Sequence, residues 1–331
     1  MKLKVAIVGL GGIGNRHAQV YEDSPACEIV AVCDAIREKA EEAAHHYGCA
    51  AYTPVDVMTA GTSIDIASVC AAGKENGGDH YEPTIALLNA GIAVLGEKPI
   101  SNEDPKAREM VAPAGRKGLR YGINLNHRFT PAALRAREWT DQGRLGELNI
   151  VNMTMWINNP NEGSPYFHMR ALHPHSFDVM RYFCSEVEKV QAFFKRGMGR
   201  KIWSTIQVNL LFENGIIGHL TGSYDAGPGY GLETLELVGS DGRLVLRDAC
   251  EHLEYYPRHS RETESYDYLG GMMSFGETFG TRIDRWIEQI LAKVSPSEID
   301  ASGEDALKVQ LIIEAAIESW ETGSVVRVEK E

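Results

Sequence analysis

No stretch of the 331 residues is apolar over the roughly 20 positions that a bilayer-spanning helix needs, so no membrane protein is expected. Cysteine is sparse. The six residues at positions 27, 33, 49, 70, 184 and 250 form no C-x-x-C, which leaves neither a redox motif nor a zinc knuckle to build on. Cys33 and Cys70 close apolar runs and read as packing residues, in keeping with a reducing compartment. Positive charge is in deficit: 33 Lys and Arg stand against 46 Asp and Glu, a formal net charge of −13. That balance argues against nucleic acid or an anionic membrane surface as the general partner. Neither H-E-x-x-H nor H-x-x-E-H occurs, so no metal is expected despite His168, His173 and His175. Internal repeats and low-complexity linkers are missing too. An apolar strand beginning at residue 4 leaves no room for a cleavable leader, and a cytoplasmic location is expected.

What is present is an ordinary globular composition, 44% hydrophobic and 24% charged, at a length that suits two domains. Its most informative stretch runs Val5-Ala6-Ile7-Val8-Gly9-Leu10-Gly11-Gly12-Ile13-Gly14. An apolar strand enters Gly-x-Gly-x-x-Gly, a helix follows from Asn15, and a second strand from Glu28 ends on Asp34, 20 residues after Gly14. Each part has a physical task. Gly9 permits the tight turn, Gly11 lets backbone approach a pyrophosphate, and Gly14 lets helix and strand pack closely. The amides at Gly12 and Ile13 open the helix, where the positive dipole end receives phosphate. Asp34 suits the two ribose hydroxyls of NAD and repels the extra phosphate of NADP; nearby Arg37 leaves NADP as the second choice.

The alternation continues. A helix over Arg37–Tyr47 stops at Gly48, a strand covers Ile66–Ala71, and Gly73–Gly78 reads as a loop. A helix follows over His80–Asn89, a strand over Ile92–Glu97, a helix over Asp104–Ala114 and a strand over Leu119–Ile123. This pattern builds a doubly wound parallel sheet, expected over residues 1–124. Beyond residue 125 the texture changes. Strand-like segments at 148–156, 187–195, 205–212, 216–223, 232–238 and 244–248 include hairpin signals at Glu213-Asn214-Gly215 and Ser240-Asp241-Gly242. An α+β domain with a large, mainly antiparallel, open-faced sheet is expected over 125–331. Helices at His175–Phe183, Phe275–Ala292 and Asp305–Trp320 would cover one face, and a second copy of the chain the other.

Three constellations carry candidate chemistry. Glu97-Lys98-Pro99 closes a parallel strand at the sheet end where α/β folds bind ligands, and a desolvated Lys98 there could steady charge on a substrate oxygen. Asn124-Leu125-Asn126-His127-Arg128-Phe129 leaves the last parallel strand; Asn126 and Arg128 could hydrogen-bond a polyhydroxylated ligand or tie domains together. His173-Pro174-His175-Ser176-Phe177-Asp178 opens a helix with Pro174 in its first turn. His175 has the chemistry of a general base, with Asp178 three residues on along the same face.

Taken together these residues resemble the glucose–fructose oxidoreductase / inositol dehydrogenase / rhizopine-catabolism (Gfo/Idh/MocA) family over nearly the whole chain. The resemblance rests on Gly9-x-Gly11-x-x-Gly14 with Arg16 and His17, His80 before Ala90-Gly91, and Glu97-Lys98-Pro99. It extends to Asn126-x-Arg128-Phe129, His175-x-x-Asp178, Gly239-Ser240-Asp241-Gly242 and the last helix near Ser319. It implies NAD-dependent hydride transfer with a secondary hydroxyl of a sugar or polyol, and Lys98 and His175 as the catalytic pair. It further implies a cis Lys98–Pro99 peptide, His80 and Glu97 at the cofactor, and a homodimer or homotetramer. One position departs. Where many members carry an Asp four residues before the histidine, this chain has Ala171, and His173 is expected to supply the missing support at the substrate. Leu172-His173-Pro174-His175 is faintly similar to the run of a branch that cleaves glycosides by transient oxidation on NAD. Other relatives sense sugars without catalysis, which retention of both Lys98 and His175 argues against.

Overall fold

The computed structural model describes residues 2–71, 80–226, 233–248, 250–267 and 276–330. They divide into two compact units, Met1–Leu125 with Phe279–Gln310, and Asn126–Thr278 with Leu311–Glu331. The expected loop at 73–78 lies outside the described residues, as do Leu232 and Phe275, the expected starts of a strand and a helix.

The first unit runs β1 (Leu3–Val8), α1 (Gly12–Asp23), β2 (Cys27–Cys33), α2 (Arg37–Tyr47), β3 (Ala50–Tyr52), α3 (Val55–Gly61), β4 (Ile66–Val69), α4 (Tyr81–Asn89), β5 (Ala93–Gly96), α5 (Asp104–Lys117) and β6 (Tyr121–Ile123). The strands form one parallel sheet in the order β3-β2-β1-β4-β5-β6. Strands such as β4, buried at every residue, are apolar on both faces because helices cover both. The order reverses between β1 and β4, the switch point where such sheets leave a crevice.

The second unit opens with a 3-10 turn, Asn126–Phe129, followed by α6 (Pro131–Asp141), β7 (Leu148–Trp156), α7 (Phe167–Phe183), β8 (Val187–Lys195), β9 (Thr205–Phe212), β10 (Ile217–Ser223), β11 (Glu233–Gly239), β12 (Gly242–Arg247), β13 (His252–Pro257) and β14 (Glu264–Asp267). After α8 (Glu277–Leu291) and α9 (Gly303–Thr322), β15 (Val326–Arg327) completes a sheet in the order β14-β13-β12-β11-β7-β10-β9-β8-β15. All its pairings are antiparallel except β7 with β10. Burial alternates along β9, so one face of the sheet packs inward and the other is left more open.

Two helices differ from expectation. α8, expected over the antiparallel sheet, belongs to the first unit: Phe279, Ile283, Trp286 and Ile287 join the cluster of Val5, Ile7, Ile29, Ile66 and Leu95. Helical periodicity shows that a stripe is buried but not which sheet buries it. α7 begins at Phe167, so Pro174 lies inside the helix rather than in its first turn. An interior proline costs about 3 kcal/mol. Burial of Phe167, Met169, Leu172, Phe177 and Met180 along the same helix outweighs that cost.

Candidate active site

The turn after β1 is set by steric limits that differ at each glycine. Gly9 has φ +88°, and a Cβ there would lie 2.6 Å from the Ala71 amide nitrogen. A Cβ on Gly14 would lie 1.7 Å from the Gly9 carbonyl oxygen. Both glycines are therefore required by the chain's own packing. Gly11 is not: a Cβ there meets nothing within 4 Å, so the space beside it is open. α1 starts at Gly12 with no acidic residue in its first turn and no side-chain cap, which leaves its first amides, including Gly12 and Ile13, to an anion.

Asp34 stands against the same turn. Its Oδ2 accepts from the Leu10 amide at 2.7 Å and its Oδ1 from the Ile36 amide at 2.8 Å. Gly9, Gly11, Asp34, Ile36, Lys39 and Ala86 help to line a cavity of about 750 Å³. Donor amides, a fixed carboxylate and a glycine with open space fit a dinucleotide. Arg37 turns away, its exposed side chain reaching Glu41 at 3.5 Å. The basic group at the cavity wall is Lys39, two residues further along α2, which the motif did not indicate.

Behind the end of β5 a buried network surrounds Glu97. His17 Nε2 donates to Glu97 Oε1 at 3.0 Å and Asn124 Nδ2 donates to the same oxygen at 2.6 Å. His17 Nδ1 lies 3.1 Å from the Ser68 hydroxyl, which is 3.1 Å from that of Tyr21. Burial pushes the Glu97 carboxyl up, but His17, Lys98 and Asn124 outweigh it and hold it below its usual value. Burial likewise pushes the Lys98 ammonium down, against the attraction of Glu97. Lys98–Pro99 is a cis peptide. His80 Nδ1 donates to the Pro99 carbonyl at 2.9 Å, and burial pushes its own value down. Glu97 and His80 thus hold the turn that carries Lys98. Sequence patterns singled out Glu97, Lys98 and His80, but not Ser68 or Tyr21.

In the second unit the 3-10 turn grips α7. Arg128 forms a bidentate pair with Asp178, its Nε donating to Oδ2 at 2.7 Å and its Nη2 to Oδ1. Both are buried, so this pair ties turn to helix. Asn126 Nδ2 donates to the Thr278 hydroxyl. The His127 ring stacks on that of His175, with centroids 4.1 Å apart and planes within 10°.

His173 lies elsewhere. Its ring is fully buried against β10, where a Cβ on Gly222 would come within 2.3 Å of it. Its Nδ1 lies 3.0 Å from the Ser176 hydroxyl and its Nε2 3.1 Å from His168 Nε2. Because α7 already includes this stretch, residues 173 and 175 point about 200° apart and cannot share a face. His173 is a core residue, and the support at Ala171 that it was expected to give does not come from it. Burial pushes His173 well below the usual histidine value and takes His168 to about 3, so both rings are neutral. Among the described residues no three His, Cys, Asp or Glu side chains converge as a metal site requires.

A family model described as "Oxidoreductase family, NAD-binding Rossmann fold" matches residues 3–125, and the model of the GFO/IDH/MocA C-terminal domain matches residues 133–245. The chain belongs to this oxidoreductase family. A Gfo/Idh/MocA member binds NAD through the first of these domains, which is where the glycine turn, Asp34 and the cavity lie. Among curated relatives, inositol 2-dehydrogenase of Rhizobium meliloti is 24% identical over 96% of this chain and 97% of its own. D-glucoside 3-dehydrogenase of Escherichia coli is 34% identical over 45% of this chain and 42% of its own. Levoglucosan dehydrogenase, solved with NADH and L-sorbose, superposes over 100% of both chains with a TM-score of 0.89 at 20% identity, which establishes the shared fold.

Two expectations follow. Gly11→Ala should leave the melting temperature nearly unchanged while weakening NAD binding by about tenfold or more, roughly 1.4 kcal/mol. Gly14→Ala should destabilise the fold by about 1–3 kcal/mol or more, since backbone on both sides must move. Calorimetry and NAD titration of both variants separate the two roles; equal loss of stability would remove the ligand explanation for Gly11. The second concerns acid. The folded protein keeps His168 neutral down to about pH 3, whereas the unfolded chain protonates it near 6.5. The unfolded state therefore binds more protons in that window, and stability falls as pH drops through it, by at most about 1.4 kcal/mol per pH unit for each such histidine. Urea unfolding of His168→Gln should show a shallower fall between pH 6.5 and 4 than the parent, and an identical slope would refute the assignment.

Proposed function

We propose that this chain oxidises a secondary hydroxyl of a cyclic sugar or polyol, with Lys98 and His175 serving the same hydroxyl. The observation that carries this reading is Lys98: an ammonium whose charge burial disfavours, next to Glu97 and following a strand of the dinucleotide-binding sheet. Such a group gains most from an oxygen on which negative charge develops. Bound NAD supplies the hydride acceptor. Lys98 donates a hydrogen bond to the hydroxyl oxygen and orients it, and His175 takes the hydroxyl proton as the carbon is oxidised. Asn126 offers an amide to a further hydroxyl, and the buried Arg128–Asp178 pair holds the helix that bears His175. Relatives named for inositol, a glucoside and levoglucosan support a ring-shaped, polyhydroxylated substrate.

The same reading makes NAD the preferred cofactor over NADP, through Asp34. It also favours a cytoplasmic homodimer or homotetramer joined across the outer face of the nine-stranded sheet, where Phe193 and Ile217 are exposed. No helix among the described residues is long and apolar enough to cross a membrane.

A screen of polyols, free sugars and simple glycosides with NAD, reading NADH and aglycone together, tests the activity. NADH should accumulate with a ring polyol or sugar; aglycone release without net NADH would point instead to glycoside cleavage. His175→Ala should lower turnover about 10²–10⁴-fold while NAD binding stays nearly intact. Asp34→Ser should improve relative use of NADP. A parent protein that binds NADP as tightly as NAD would remove Asp34 from cofactor choice, and an undiminished His175→Ala would remove the base.

A further inference from the structure

We infer that Glu233 and His127 form a buried positioning dyad that sets the ring plane of His175; the inference rests on the reading of His175 as the base. His127 Nδ1 lies 2.6 Å from Glu233 Oε2, and both residues are almost wholly buried. A carboxylate acceptor places the proton on Nδ1, so the ring cannot rotate about its own axis without breaking this bond. The other Glu233 oxygen accepts from the Cys250 thiol at 3.3 Å, which fixes the carboxylate in turn. Against this anchored ring His175 stacks at 4.1 Å and 10°.

Three elements meet here. The 3-10 turn carries His127, α7 carries His175 and β11 begins at Glu233. The neighbouring residue of the turn, Arg128, clasps Asp178 three positions along α7 from His175. One turn therefore grips one helix face twice, at His175 through a ring and at Asp178 through a bidentate ion pair. A buried carboxylate costs more to desolvate than an apolar side chain of the same volume. What Glu233 adds that an apolar residue would not is direction: it fixes the rotation of His127 and, through the stack, the face that His175 presents. A base misplaced by about 1 Å loses up to about 100-fold in rate. His127 and Glu233 act through His175 and are positioning residues.

The test uses the full chain labelled with 13C at histidine Cε1, the His175 signal being assigned by its loss in His175→Ala. In Glu233→Ala the His175 signal should move, because its neighbour is no longer anchored. In Glu233→Gln, which keeps an acceptor for Nδ1–H, it should return toward its parent position. A His175 signal unmoved by Glu233→Ala overturns the inference, and so does one displaced as far by Gln as by Ala. Should Glu233→Ala fail to fold, Glu233→Asp withdraws the acceptor by one methylene and is held to the same criterion. With myo-inositol and methyl D-glucopyranoside as probes, turnover should fall in Glu233→Ala by up to about 100-fold at unchanged NAD affinity, with recovery in Gln. Undiminished turnover of His175→Ala on a probe that the parent oxidises would instead sink the proposed base, whatever the resonances show.

Discussion

At Gly14 the backbone of α1 approaches the end of β1 so closely that a single methyl group would sit within bonding distance of the Gly9 carbonyl. That contact fixes where α1 lies on the sheet, and much of the first unit follows. It aims the open N-terminus of α1 at the switch point, beside the Asp34 carboxylate that accepts from Leu10. It also delivers His17, one turn further along α1, between Ser68 on β4 and Glu97 after β5. The phosphate cradle and the support behind Lys98 are two ends of the same helix placement. A shift of α1 would loosen both.

The second unit is organised by polar groups that had to be satisfied once buried. Arg128 neutralises Asp178, Glu233 accepts a hydrogen bond from His127 Nδ1, and His168 and His173 pair with each other. Each arrangement removes a donor or acceptor that would otherwise cost about 1–3 kcal/mol unpaired. Gly222 contributes by absence, because any side chain there would occupy the space of the His173 ring. These pairings fix α7 in rotation as well as in place, and rotation decides which of its histidines is buried against the sheet and which stacks on the turn.

Where many members of the family carry an acid, this chain has Ala171. His173 is turned into the core by helix geometry, and Asp178 is engaged by Arg128. Through the His127 ring, His175 is linked to the carboxylate of Glu233, far away in sequence on β11. Because α7 runs from Phe167, it includes both His173 and His175 and sends them to different faces.

Local pattern determined a good deal. Apolar runs, the glycine spacing and Asp34 identified the parallel unit and its cofactor, since each is a requirement of neighbouring backbone within about 30 residues. Glu97-Lys98-Pro99 was legible for the same reason, as a strand end in a known kind of sheet. Hairpin turns and alternation marked most strands of the second sheet, though the edge strands β14 and β15, of four and two residues, were too short to signal themselves. Only tertiary structure decided the rest: that α8 returns to the first sheet, that α7 runs through its proline, that Lys39 rather than Arg37 borders the cavity, and that Glu233 anchors His127. Each of these turns on which surface buries a side chain, and burial is settled by residues distant in sequence that no local spacing encodes.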